Sequence, residues 1–391
     1  MMLKAPVADE MVWASVTRSP VPLVYLDLNH YIQLAKARLA EAGHVSGNGR
    51  PVVVLPGYAN LLAAARRAKE EKRAQFPLSG THFMEVAHRV PSPRQRSHVA
   101  DIMEELSDFT YLLGRPWLVQ MEIAAGLDKM YGTEPSYAPT TLLQGSALWA
   151  FGQQGGFRFI DKAGNDLGPQ IRRDLGDAAY EAQLAKMNHM RERKLLEGPQ
   201  DQEIDDLRAL GYAPETYDTG IQSRLDFERQ TSTILQNDPN WRRSRLRDLV
   251  SGREIAHEWM TPFVRHLKQR EEDGFSHDLP DAADLVSFWA AMPQVQVAIS
   301  MKTVYHRDSA REWRTNDVAD IDALSVAYAY TDAILTDKQA RAALAGSKEL
   351  RTFGARLLRT ADDAAEWIEH LPMVRDPDRR VFHPLQRETR G

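Results

Sequence analysis

Two short segments, far apart in the chain, carry carboxylates where metal chemistry can use them. The first is Val24-Tyr25-Leu26-Asp27-Leu28-Asn29, an apolar run closed by an acid. The second passes from Asn316 and Asp317 through Asp320 and Asp322 to Asp332, then Ala333-Ile334-Leu335-Thr336-Asp337. Acids that end strands or open helices can converge on divalent ions. Metal-assisted phosphodiester hydrolysis requires that arrangement.

Asp27 belongs at the C-terminal edge of a buried strand, where open α/β sheets place their ligands. The plainer role is a turn acid or a helix N-cap. Successive helical residues are about 100° apart, so Asp320 and Asp322 point to nearly opposite sides. Only one of them can face a shared pocket. Asp320 shares a stripe with Leu324, Ala327 and Thr331, and Asp322 with Ser325, Val326 and Ala329. The stripes are similarly apolar, and Leu324 tips the balance slightly toward Asp320. Asp317 is a natural N-cap, which would leave Asp320 as a capping-box partner only. Thr336-Asp337 follows an apolar run as Asp27 does. If those strands pair, their acids lie about 5 Å apart and repel unless a cation intervenes. Asp332, ahead of the strand, reads as loop support. Glu85 has His82 and His88 on its own helix face. No HExxH sequence occurs, so a zinc hydrolase is not expected.

The composition suits a globular protein, with 43% hydrophobic and 26% charged residues across 391 positions. That length can bury a sizeable core. With no cysteine, disulfides and thiolate metal sites are both excluded. The net charge of −5 argues against a protein that coats nucleic acid, but not against an acidic site ringed by local basic patches. No stretch approaches the roughly 18 uncharged residues of a spanning helix. Asp9 and Glu10 interrupt the N-terminal run, so no signal peptide is expected and a cytoplasmic location is.

To position these acids, the chain needs short strands at both ends. Residues 1–20 read as an irregular arm and 21–115 as the first part of a core. Residues 116–302 read as a mainly α-helical insertion or cap, 303–375 as the second part of the core, and 376–391 as a tail. Strands are expected over 21–28, 333–336 and 350–353, with helices between them and a small hairpin over 155–165. The fold class is α/β, a parallel sheet flanked by helices and split in sequence by the insertion.

Leu26-Asp27-Leu28-Asn29, then Ser79-Gly80-Thr81-His82-Phe83-Met84-Glu85, then Asn316-Asp317-x-x-Asp320 and Tyr330-x-Asp332-x-x-x-Thr336-Asp337 occur in that order. This series resembles the PIN-domain nuclease superfamily, best known from toxin ribonucleases of bacterial toxin–antitoxin pairs. The resemblance covers roughly residues 21–112 and 303–355. It implies a PIN-like sheet whose Asp27, Glu85, Asp320 and Asp337 hold Mg²⁺ or Mn²⁺, with Asp322 as the competing alignment for Asp320. Ser79, Thr336 and Asn316 match positions that support the acids. The insertion has no counterpart in compact members of that family.

The resulting expectation is a divalent-metal-dependent nuclease, an endoribonuclease first, with RNA favoured over single-stranded DNA. Arg242, Arg243, Arg245 and Arg247 offer a phosphate contact surface beside Trp241, although a solvated helix face explains them at least as well. The basic run Arg66 to Arg73 is a second such patch. A protein regulator and a homo-oligomer are left open, and no membrane partner is expected. The main alternative is a non-catalytic helical interaction protein with a degenerate PIN-like core. A metal-dependent phosphoesterase acting on a small molecule is a third.

Overall fold

The computed structural model describes residues 8–45, 49–154, 159–209, 213–275 and 279–384. It opens with β1 (Val16–Arg18), β2 (Val24–Leu26), α1 (Leu28–Glu41), α2 (Tyr58–Glu70) and α3 (Gly80–Arg89). Next come α4 (Pro93–Ser107), β3 (Tyr111–Leu112) and α5 (Arg115–Tyr131), then β4 (Thr140–Thr141), β5 (Leu143–Gln144) and α6 (Ala147–Ala150). The helical middle continues with α7 (Gly168–Leu175), α8 (Asp177–Glu197), α9 (Ile204–Ala209) and α10 (Pro214–Asn237). It ends with α11 (Leu246–Glu254), α12 (Met260–Glu272), α13 (Ala282–Ala290) and α14 (Pro293–Arg307). The last part holds α15 (Thr315–Tyr330), β6 (Ala333–Leu335), α16 (Lys338–Gly346), β7 (Arg356–Leu358), α17 (Ala361–Glu369) and β8 (Val381–Phe382).

The chain is mixed α/β, and its sheets are small. Val24-Tyr25-Leu26 and Ala333-Ile334-Leu335 are fully buried runs, as strands covered on both faces must be. They pair in parallel, Val24 with Ala333 and Leu26 with Leu335, and β7 extends the sheet beyond β6. On the other side of β2, single parallel bridges join Leu23 to Gln75 and Leu78 to Tyr111. Pro77 withholds an N–H between those two contacts, so the segment touches its neighbours at points rather than along a ladder. β5 lies antiparallel to β3, and a separate sheet orders β4, β1 and β8.

Three apolar clusters fill the molecule. One joins β2, α1 to α4 and α17, and a second lies on the other face among α15, α14, α16 and Trp149. The third gathers α5, α11 to α14 and Trp259, so the helical middle has a core of its own that α5 and α14 share with the sheet region.

One local expectation needs correction. The segment 350–353 is not a strand: Lys348–Leu350 makes a tight turn and the strand comes later, at Arg356–Leu358. Leu350 is buried apart from the sheet, which explains its strand-like look in sequence. The hairpin over 155–165 lies partly outside the described residues. Its far end shows a bridge from Ile160 to Asp166 and a turn in which Asp161 accepts from Asn165.

Candidate acidic site at the sheet edge

Asp27 leaves β2 in an extended conformation and occupies the N-cap of α1, yet its side chain caps nothing. Its N–H donates to Leu335 O at 3.0 Å, which continues the β2–β6 pairing by one step. This places Asp27 beside Thr336, whose hydroxyl donates to Asp27 Oδ2 at 3.2 Å. Asp337 is one residue further on. Its Oδ1 accepts from the N–H groups of Gln339 and Ala340 at 2.6 and 3.0 Å, capping α16.

Glu85 reaches the same place from α3, and the reason is His82. Burial disfavours the charged form of that imidazole. Its Nδ1 accepts from Ser79 N at 2.9 Å, so its Nε2–H donates to Leu26 O at 2.8 Å. The start of α3 is thereby tied to the end of β2, one residue before Asp27. Ser79 serves as the N-cap and also shares a hydrogen bond with the Tyr25 hydroxyl at 3.2 Å. His82 is thus a structural tie, while His88 lies at the rim beside Asp218, at 3.3 Å.

Asp320 faces this group from α15, and Asp322 does not. Arg224 of α10 grips Asp322 with two hydrogen bonds, the Nη2 bond at 2.8 Å, and the pair holds the Asp322 carboxyl down at about 2. Asp317 accepts from Arg314 N at 2.8 Å and pairs with Arg311 at 2.6 Å. Asp332 accepts from Leu23 N at 2.8 Å and pairs with Arg18. Both therefore hold backbone in place, away from the four converging acids. Asn316 is exposed and lines the cavity of about 340 Å³ that also contains Glu85 and Arg89.

The four acids act on one another. Burial, then the charge of Asp27, pushes the Glu85 carboxyl up to about 8 against the pull of Arg89. Burial also pushes Asp320 up to about 8, helped by the charges of Asp27, Glu85 and Asp337. Arg89 lies 2.9 Å from Glu85 and 3.9 Å from Asp320. Among the described residues it is the one cation that ion-pairs with any of the four. The sequence reading missed Arg89, although its position four residues after Glu85 on one helix was visible. Among the described residues, no three Asp, Glu or His side chains stand close enough together to hold one ion. Arg89 stands by Glu85 and Asp320, and Asp337 is turned into its own helix cap.

Arg89 also walls a cavity of about 530 Å³ between α1 and α4, lined by Lys36, His44, Arg94 and His98 and by no acid. Lys36 and Arg94 make no ion pair among the described residues. The Arg-rich segment 241–247 is mostly committed elsewhere. Arg242 donates to His306 O and Leu235 O, Arg245 pairs with Asp248, and Arg247 donates to Ser300 and Gln296. Arg243 alone of the four is exposed.

The chain matches no family model, no curated protein and no solved structure. No helix among the described residues is long and apolar enough to cross a membrane.

Proposed function

We propose that the protein is a divalent-metal-dependent nuclease of PIN-like architecture acting on RNA in preference to single-stranded DNA. One observation carries the reading. Asp27, Glu85, Asp320 and Asp337 come from four elements at the two ends of the chain and lie near enough at the C-terminal edge of a parallel sheet for their charges to push the Glu85 and Asp320 carboxyls up. No three of them are close enough in this conformation to hold one ion. Acids from four separate elements have no structural need to lie near one another. Mutual repulsion in a partly dry site costs stability that a bound cation would recover.

The donor set fits the ion. Four carboxylates are hard oxygen donors and suit Mg²⁺ or Mn²⁺ rather than zinc. Asp27, Glu85, Asp320 and Asp337 would hold it, and Thr336 keeps Asp27 oriented. When bound, such an ion activates a water and stabilises charge on the phosphate. The chain's own contribution is orientation and charge. Glu85 and Asp320 would give up protons to such an ion, and Arg89, which pairs with both, would then be available to a phosphate oxygen. The acid-free groove beyond Arg89 would carry the strand's backbone.

Labelled single-stranded RNA and DNA incubated with Mn²⁺, Mg²⁺ or EDTA test the reading, comparing wild type with Asp27→Asn and Asp320→Asn. Metal-dependent cutting that both substitutions reduce by on the order of 100-fold or more is the expected result. Equal weak cutting by all three proteins would mean contamination.

One observation favours the second reading, a non-catalytic interaction protein with a degenerate core. Arg89 already supplies a counter-charge to Glu85 and Asp320, so the site can stand without metal. That reading requires that neither ion change the thermal stability of the wild type.

A further inference from the structure

Beside the acids lies a cavity of about 230 Å³ between the starts of α3 and α5 and the middle of α15. Its floor is apolar, with Met84, Pro116 and Val326. Two aromatic side chains contributed by the insertion reach it. Phe151 remains 40% exposed at its lip although its ring packs 5.6 Å from Phe83. Tyr217 of α10 lines this cavity and also the one that contains Glu85 and Arg89, so a single wall separates them.

The Phe151 loop is laid directly on two glycines. A Cβ on Gly80 would stand 2.7 Å from Ala150 O, and one on Gly114 would stand 2.4 Å from Gly152 N. No other residue lets the backbone come so close at either position without a shift.

Ser79, Thr81 and Asp322 also line this cavity, and among the described residues its one cation is Arg115. Its guanidinium lies over the Trp259 ring, 5.1 Å from the centroid. Its nearest carboxylates, Asp322 and Glu258, are 3.6 and 3.8 Å away, beyond hydrogen-bond reach. Arg224 takes the short bonds to both of those acids. The buried Arg115 Nε has no hydrogen-bond partner among the described residues. A guanidinium that donates no hydrogen bond among the described residues, beside the exposed Phe151 ring and the half-buried Tyr217 ring, suits a flat ligand with an acceptor edge.

We infer that this cavity is a nucleobase subsite, in which an unpaired base stacks on Tyr217 and Phe151 and presents acceptors to Arg115. This rests on the nuclease reading, since it places the base's own phosphate at the neighbouring acids. Two features of the substrate follow. The base must be out of a duplex, because a paired base cannot enter a side pocket without unstacking. Guanine is favoured, because O6 and N7 offer two adjacent acceptors to one guanidinium.

The test separates binding from cutting. Anisotropy of a labelled single-stranded RNA is followed in EDTA for wild type, Tyr217→Ala, Tyr217→Phe and the cavity-filling Ala323→Trp. Sites of cutting in Mn²⁺ are mapped in parallel, with Arg115→Gln included. Tyr217→Ala and Ala323→Trp are each expected to weaken single-strand binding by about 5- to 150-fold, the range of one lost base stack. Tyr217→Phe should bind as wild type does, and Arg115→Gln should lose the guanine preference. If all variants bind and cut as wild type does, or if binding to a duplex falls in step, the subsite is overturned and the nuclease reading stands. If wild type neither binds nor cuts any strand, both fail together.

Discussion

Glu85 and Asp320 are the residues whose chemistry is most exposed to experiment. Their carboxyls titrate near 8 in the folded chain and near the ordinary carboxyl range when unfolded. Between those limits the folded state holds protons that the unfolded state has released. Stability of the metal-free protein should therefore be full below about pH 4 for these groups and decline as pH rises to about 8. Thermal unfolding in EDTA at pH 5.5, 7 and 8.5 checks the sign. Added Mg²⁺ should restore what is lost, with a gain that grows over the same interval as protons leave. Asp320→Asn removes a carboxyl that folding prevents from ionising at its ordinary pH. Without metal it should raise Tm by a few degrees while abolishing the response to Mg²⁺. A substitution that stabilises the fold and removes the metal effect together is hard to explain by a surface charge.

How much of this was legible at the residue scale varies. Asp27 announces itself as an acid closing a buried run, and Asp337 does so again. The choice between Asp320 and Asp322 was not legible, since both stripes of that helix are apolar. What turns Asp322 away from the other acids is Arg224, 98 positions before it, a tertiary contact that no helical periodicity encodes. Glu85 reads in sequence like any solvated glutamate on an amphipathic helix. Its value comes from the fold around it.

At the scale of elements, the site depends on one imidazole. His82 joins the backbone at the start of α3 to Leu26 O, and so fixes Glu85 relative to Asp27. His82→Ala leaves a buried carbonyl and a buried N–H without a partner, an expected cost of about 2 to 5 kcal/mol in chemical denaturation. His82→Gln, which can donate and accept, should recover part of both stability and cutting. Sequence showed the histidine but assigned it to the face of Glu85 and His88, since i and i+3 are neighbours on any helix. The strands were the harder elements. β2, β6 and β7 are three residues long, and the segment 75–78 joins its neighbours by isolated bridges. A window that short carries almost no periodic signal.

At the scale of the whole molecule, buried charge ties the helices of the helical middle to one another. Lys302 of α14 is almost wholly enclosed between Glu228 of α10 and Glu254 of α11, 2.6 Å from Glu228. His306 adds a contact to Glu228 at 2.7 Å. Lys302→Met should destabilise the protein by about 3 to 5 kcal/mol, because it strands two carboxylates in the core. Lys302→Met with Glu254→Gln should cost less than the sum of the two single changes. The acid-free groove is a property of the same scale. Lys36→Glu with Arg94→Glu is expected to weaken single-strand binding at least tenfold in low salt, and to flatten its salt dependence, without shifting Tm. The insertion's extent was legible from its helical character. Its internal pairing was not, since Glu228, Glu254 and Lys302 are scattered over separate helices.

The pairing of β2 with β6 has a consequence for synthesis. Val24 meets Ala333 only after more than three hundred intervening residues have been made, and the β6 edge that carries Thr336 and Asp337 comes later than every helix of the insertion. A ribosome-bound chain can expose Asp27 and Glu85 for most of its elongation, yet it cannot align them against the second half of the site. A chain carrying a nuclease of this design would leave the ribosome, and the messenger it is still reading, uncut until its last strands had emerged.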